Sequence, residues 1–245
     1  MSIVFYSLHS RDVGIAGTWA MTSTKCRTVS MTLPPFGAEG LLGLPATSPT
    51  GIVLFAHGSG SGRFSPRNTF VAQALQFAGF ATLLFDLLTE DEAADRANVF
   101  DIALLADRLD QAATRARQTV ARQNPPLGFF GASTGAAAAL VAAASRHDVS
   151  AVVSRGGRPD LAGDALTRIS AATLLIVGGQ DPEVLALNQA AYRKLHCERR
   201  LEVVSGATHL FEEPGALETV VDLARAWFLR HLVTEPAEKQ HAVHR

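Results

Sequence analysis

Gly131-Ala132-Ser133-Thr134-Gly135, with the apolar run Leu127-Gly128-Phe129-Phe130 before it and an alanine-rich stretch at 136–144 behind it, decides how this chain folds. It reads as a serine held on a sharp turn between a buried strand and a helix. Such a turn strains the serine backbone and lifts its hydroxyl clear of the sheet, and the flanking residues must be small for strand and helix to approach each other. Gly131, Ala132 and Gly135 meet that demand. A bare G-x-S-x-G arises by chance in roughly one chain in ten of this size, so the strand before it and the helix after it carry most of the weight.

On both sides of the turn, short apolar runs alternate with segments of helical period, the pattern of βαβ units and a mostly parallel sheet. Strands are expected at 28–33, 39–44, 51–56, 81–85, 127–130, 149–153, 172–177 and 200–204, and helices at 66–79, 98–123, 134–146, 182–196 and 215–231. Ile52-Val53-Leu54-Phe55, Leu83-Leu84-Phe85 and Leu174-Leu175-Ile176-Val177 are apolar on both faces, as strands covered by helices on each side should be. The first two strands precede the regular alternation and fit an antiparallel hairpin at one edge. The expected organisation is a single α/β domain over 27–232, a loosely attached extension over 1–26 and a polar tail over 233–245.

The 245 residues carry a formal net charge of −1, from 22 Lys and Arg against 23 Asp and Glu, so no global field points to nucleic acid or an anionic membrane. A small molecule is the expected partner. Cys26 and Cys197, the only cysteines, have no metal-ligand spacing and make no disulfide framework, which fits a reducing compartment, with the cytoplasm as default. No run approaches the ~18 uncharged apolar residues of a membrane span, and the first 25 residues lack the basic start and sustained apolar core of a secretory signal.

In a parallel sheet, ligands bind outside the carboxyl ends of the strands, which here points to the segments 57–67, 86–92, 154–160, 178–183 and 205–211 together with Ser133. A serine hydroxyl needs a base to take its proton, and the base needs an acceptor that fixes its tautomer. His209, in Ser205-Gly206-Ala207-Thr208-His209, and Asp181, after Val177-Gly178-Gly179-Gln180, are the candidates. His57, His147, His196 and His231 fit the base role less well, His57 being the nearest rival with a suggested task of holding its loop by ring hydrogen bonds. Asp160 and Asp164 compete with Asp181. An oxyanion formed at the serine would be met by the backbone N–H of Thr134 and by one from the glycine-rich loop His57-Gly58-Ser59-Gly60-Ser61-Gly62, with Ser59 first choice and Gly60 next. That loop lacks the Lys-Ser/Thr ending of a P-loop and the spacing of a dinucleotide fingerprint, so no NAD or ATP cofactor is expected.

The stretches His57-Gly58-Ser59-Gly60-Ser61, Ser65-Pro66-Arg67-Asn68, Leu84-Phe85-Asp86-Leu87-Leu88-Thr89, Gly131 to Gly135, Ser154-Arg155-Gly156-Gly157-Arg158-Pro159-Asp160-Leu161 and Val177-Gly178-Gly179-Gln180-Asp181 together resemble the dienelactone-hydrolase-like branch of the α/β-hydrolases, over residues 28–232. The resemblance implies an eight-stranded, doubly covered sheet and a metal-free, cofactor-free hydrolase with Ser133, Asp181 and His209 as its triad. Dienelactone hydrolases proper carry a cysteine nucleophile where Ser133 stands here. Some proteins with this region resemble fusions with a phosphoribosyltransferase, for which this chain has no room.

About 18 residues separate the strands expected at 149–153 and 172–177, so no cap domain is expected over the site. Arg63, Arg67, Arg155 and Arg158 lie on loops that should border it. Either one or two of them bind a carboxylate or phosphate on the substrate, or they brace the loops against Asp86, Asp160 or Glu183. The leading expectation is a serine hydrolase of carboxylesterase type, cleaving an ester-like bond of a small soluble substrate through an acyl-enzyme. The alternatives are a non-catalytic binding or regulatory protein on the same scaffold, and a thioesterase, acyltransferase or peptidase using the same residues.

Overall fold

Strand β3 (Ile52–Ala56) shows why the central runs are apolar at every position: Ile52, Leu54 and Ala56 enter one hydrophobic core while Val53 and Phe55 enter another on the opposite face. Successive strand residues point to opposite sides, so a strand sandwiched between helices has no polar face to offer. The computed structural model describes residues 26–120 and 124–233. Apart from Cys26 and Val233, the expected extension and tail lie outside the described residues.

The other strands are β1 (Arg27–Leu33), β2 (Ala38–Leu44), β4 (Ala81–Phe85), β5 (Leu127–Ala132), β6 (Val149–Arg155), β7 (Ala172–Gly178) and β8 (Arg199–Val204). They form one eight-stranded sheet in the order β1-β2-β4-β3-β5-β6-β7-β8. β1 and β2 pair antiparallel as the edge hairpin, β2 meets β4 antiparallel, and every remaining pair is parallel. Each expected strand is present to within two residues at either end.

Helices α1 (Pro66–Phe77) and α7 (Ala216–Leu232) cover one face through residues such as Val71, Leu75, Val220 and Phe228. The other face is covered by α4 (Ile102–Thr119), α5 (Thr134–Ser145) and α6 (Pro182–Lys194), with Leu105, Leu109, Leu140 and Ala191 in its core. α1 starts where Ser65 caps it, its hydroxyl accepting the Asn68 N–H at 3.4 Å ahead of Pro66, a residue suited to the first helical position.

Two segments differ from the sequence reading. The helix expected over 98–123 is broken: α2 (Glu90–Ala93) and α3 (Arg96–Val99) precede it, and α4 begins only after Asp101, whose carboxylate accepts the Leu104 N–H at 3.0 Å. The cause is a series of caps. Thr89 and Glu92 form a reciprocal capping box and Asp95 accepts the Ala97 N–H at 2.8 Å, so each short turn has its own start signal. Between β6 and β7 the chain forms a 3₁₀ stretch, Pro159–Arg168, kinked at Gly163, and no cap domain is inserted there.

Candidate active site

Ser133 sits between β5 and α5 at φ 50°, ψ −122°, one of three non-glycine residues with positive φ among the described residues. Holding such a backbone costs on the order of 1–3 kcal/mol, which the surrounding packing must offset. A Cβ on Gly131 would lie 2.4 Å from Ala136 Cα, and one on Gly135 would lie 2.3 Å from the carbonyl oxygens of Ala56 and His57, so both glycines are required by close approach. The Ser133 N–H donates to the Arg155 carbonyl at 3.2 Å, and its own carbonyl accepts from Ala136 and Arg158 at 3.1 Å each. Its side chain does not cap α5. The hydroxyl is therefore not committed to the helix.

Asp181 follows β7 and caps α6, one carboxylate oxygen accepting the Val184 N–H at 3.4 Å while the other meets His209 Nδ1 at 2.7 Å. That second contact makes Nδ1 the donor and leaves Nε2 as the free ring nitrogen. His209 lies after β8 on a turn tied down by the Thr208 N–H on Glu213 at 3.1 Å and by the Gln180 N–H on the Ala207 carbonyl at 2.9 Å. Asp181 is the more enclosed partner, its side chain 16% exposed against 38% for His209. The rival acids are turned elsewhere: Asp160 makes a two-bond pair with Arg158 at 2.9 and 2.8 Å, which holds its carboxyl below the usual range, and Asp164 stands on the 3₁₀ stretch.

His57 holds its loop from both ring nitrogens. Nδ1 lies 3.0 Å from the Gly58 carbonyl and Nε2 accepts the Leu87 N–H at 3.1 Å, which fixes the ring as the neutral Nδ1–H tautomer. Burial pushes its pKa down, against the opposing pull of the Gly58 carbonyl and Asp86. Among the other histidines, His147 and His196 are exposed and His231 packs on Trp227 with a ring separation of 4.5 Å, near Glu198.

At the oxyanion loop the structure adds a contact that sequence reasoning missed. The Ser59 N–H is not free; it donates to the Thr134 hydroxyl at 3.0 Å. Thr134 is the first residue of α5, so its own N–H has no partner within the helix.

Of the four arginines expected on loops, Arg67 instead lies in the first turn of α1 and Arg155 ends β6; three of the four are paired. Arg63 binds Asp86 through its guanidinium and, at 2.8 Å, through its backbone N–H; Arg158 binds Asp160; Arg67 reaches Glu212 at 2.8 Å rather than Glu183. Arg155 is different. It is 8% exposed, its Nε and Nη1 make no hydrogen bond among the described residues, and its guanidinium stands 6.0 Å from the Phe211 ring. Burial, with the charge of Arg67 nearby, pulls its pKa down to about 10.

A cavity of about 550 Å³ opens beside the loop 57–61, with Thr134 in its lining and Leu87, Leu88, Ala93, Val99 and Leu105 among its apolar walls. The segment carrying α2 and α3 thus forms part of the cavity wall. Val99 and Leu105 could not be singled out beforehand, because in sequence they share the helical spacing of ordinary core residues.

An eight-stranded sheet of this order, with a strained serine after β5, an acid after β7 and a histidine after β8, is the α/β-hydrolase fold. Within that class, residues 38–229 match the Dienelactone hydrolase family, and the chain belongs to it. It is 51% identical to a dienelactone hydrolase from Anabaena variabilis ATCC 29413 whose crystal structure superposes with a TM-score of 0.80, covering 85% of this chain and 99% of that one. Est1E of Butyrivibrio proteoclasticus, with ferulic acid bound, shares the fold at 16% identity and a TM-score of 0.70, over 83% of this chain and 100% of that one. Two Mycobacterium tuberculosis proteins, from strains CDC 1551 and H37Rv and provisionally named phosphoribosyl transferases, are 58% identical over 205 residues, 83% of this chain and 46% of theirs. The chain therefore spans about half the length of the curated relatives it matches. Among the described residues no helix is long and apolar enough to cross a membrane.

Proposed function

We propose that this hydrolase-family chain is a serine carboxylesterase acting on a small soluble ester, with Ser133 as nucleophile, His209 as base and Asp181 as the group that orients and charges-balances the imidazole. The observation that carries the reading is the 2.7 Å bond from His209 Nδ1 to Asp181, made on loops at the same sheet edge as the strained serine. In the proposed cycle the Ser133 hydroxyl attacks the acyl carbonyl as His209 Nε2 takes its proton, and the imidazolium then gives that proton to the leaving alcohol. Water, deprotonated by the same nitrogen, releases the acyl group. The Thr134 N–H receives the developing oxyanion.

The 550 Å³ cavity is lined by Thr134 and the 57–61 loop but not by Ser133, Asp181 or His209; its apolar walls suit a drug-sized or smaller organic group reaching the elbow from the Thr134 side. Arg155, at the end of β6, has no acid partner among the described residues, but it is buried and does not line that cavity, so none of the four arginines is assigned to the substrate. The phosphoribosyl-transferase name belongs to proteins more than half of whose length lies outside the match, whereas Ser133, Asp181 and His209 all fall within the family region 38–229.

Steady-state hydrolysis of 4-nitrophenyl esters by three proteins tests the assignment. Ser133→Ala should lose turnover with its fold intact, and Asp181→Asn should lower kcat by about 10³–10⁴-fold through the wrong histidine tautomer. Wild-type turnover in Ser133→Ala removes the nucleophile assignment, and near-normal turnover in Asp181→Asn transfers the orienting role to Asp160 or Asp164.

A further inference from the structure

Thr134 combines three properties that no structural role requires together. It directly follows the proposed nucleophile, it is buried at 5% exposure, and it still contributes to the cavity lining. Its hydroxyl has two lone pairs and one proton. One lone pair accepts the Ser59 N–H at 3.0 Å, and among the described residues no protein acceptor takes the proton. The loop that carries Ser59 is pressed onto the elbow, since a Cβ on Gly58 would come within 3.1 Å of Ser133 Cβ.

With its oxygen bound by Ser59 and no protein acceptor for its proton among the described residues, the hydroxyl has a donor to offer a group in the cavity that Thr134 lines. Accepting a hydrogen bond also makes a hydroxyl a better donor, because the two bonds polarise each other. We infer that the Thr134 hydroxyl is a second oxyanion donor, and that the Ser59 N–H acts through it rather than on the substrate directly. The residue would then offer the oxyanion two donors, its backbone N–H and its Oγ1–H, with Ser59 behind the latter. No proton is transferred; the hydroxyl strengthens an existing bond as the carbonyl oxygen gains charge. The inference rests on the serine-esterase reading of Ser133. The opposing arrangement is a plug, in which the hydroxyl screens a Ser59 N–H that would otherwise bind the oxyanion itself.

The experiment measures kcat and KM for 4-nitrophenyl butyrate in the wild type, Thr134→Val, Thr134→Ala and Thr134→Ser, with circular dichroism to check folding and fluorophosphonate labelling of the wild type at Ser133. The expected result is a fall in kcat of about 10²-fold or more in the Val and Ala variants, KM within about 3-fold, and recovery in the Ser variant to within about 3-fold of wild type. Thr134→Ala carries the test if the bulkier valine disturbs the elbow. Unchanged or raised kcat in a folded Val or Ala variant overturns the inference in favour of the plug. Loss in KM alone, or failure of serine to restore kcat, overturns it in favour of ground-state contact or methyl packing. Absence of labelling at Ser133 in the folded wild type removes the esterase reading itself and this inference with it, whereas a labelled wild type beside an unimpaired Thr134→Ala removes this inference alone.

Discussion

His57 illustrates how a single residue can be read in sequence for its place but not for its state. Its position at the head of a glycine-rich loop suggested a bracing role, and the ring does bridge the Gly58 carbonyl and the Leu87 N–H. Its neutrality follows from burial, which no motif displays. The consequence is a pH dependence of stability. The folded pKa lies below the ordinary 6.5, so above about pH 6.5 both folded and unfolded chains hold the ring neutral; as pH falls below that, the unfolded chain binds the proton first and stability is lost toward the lower folded pKa. Protonation of Nε2 would also remove the acceptor of the Leu87 N–H. Urea unfolding at pH 7.5 and 5.5 should therefore show a larger acid loss in the wild type than in His57→Asn, and equal losses in the two proteins would contradict the assigned tautomer. Ser133, Asp181 and His209 were legible for a simpler reason: each closes a strand in an order the chain itself displays. The capture of the Ser59 N–H by Thr134 was not, because it depends on a contact across 75 residues.

Among the elements, the β5–α5 unit is the most constrained. Ala136, Ala137, Ala138 and Ala139 are fully buried in the opening turn of α5, which lets the helix approach the sheet at Gly131 and Gly135. Gly135→Ala would drive a methyl group into two backbone carbonyl oxygens, neither of which can swing aside as a side-chain tip could. A destabilisation of about 3 kcal/mol or more is expected, a drop in Tm of roughly 6–12 °C for a chain of this size, together with loss of ester turnover. An unchanged Tm would mean that the elbow is looser than this packing requires. The long strands and helices were readable because each repeats its period over several residues. α2 and α3 are too short to show a period, and only their caps, Thr89 with Glu92 and Asp95, announce them. The 3₁₀ stretch gave no such warning, since Pro159 and Gly163 read equally well as loop.

For the molecule as a whole, the rule that parallel sheets bind ligands at their carboxyl edge singled out the candidate site from the sequence. The same edge gathers Ser133, the 57–61 loop, the α2–α3 wall and the Asp181–His209 pair. Charge was less legible at this scale. Arg63, Arg67 and Arg158 looked equivalent to Arg155 along the chain, and only the folded arrangement separates three paired cations from one enclosed with no acid beside it among the described residues. The relatives add a boundary of another kind: more than half the length of two of them lies outside the region shared with this chain. The proposed function requires Ser133 to be an activated nucleophile. The direct measurement is reaction of the purified protein with a fluorophosphonate probe, followed by intact mass and peptide mapping beside Ser133→Ala. One adduct on Ser133, absent from the variant, is the predicted result; a folded wild-type protein that takes up no probe, or takes it up equally after Ser133→Ala, would contradict it.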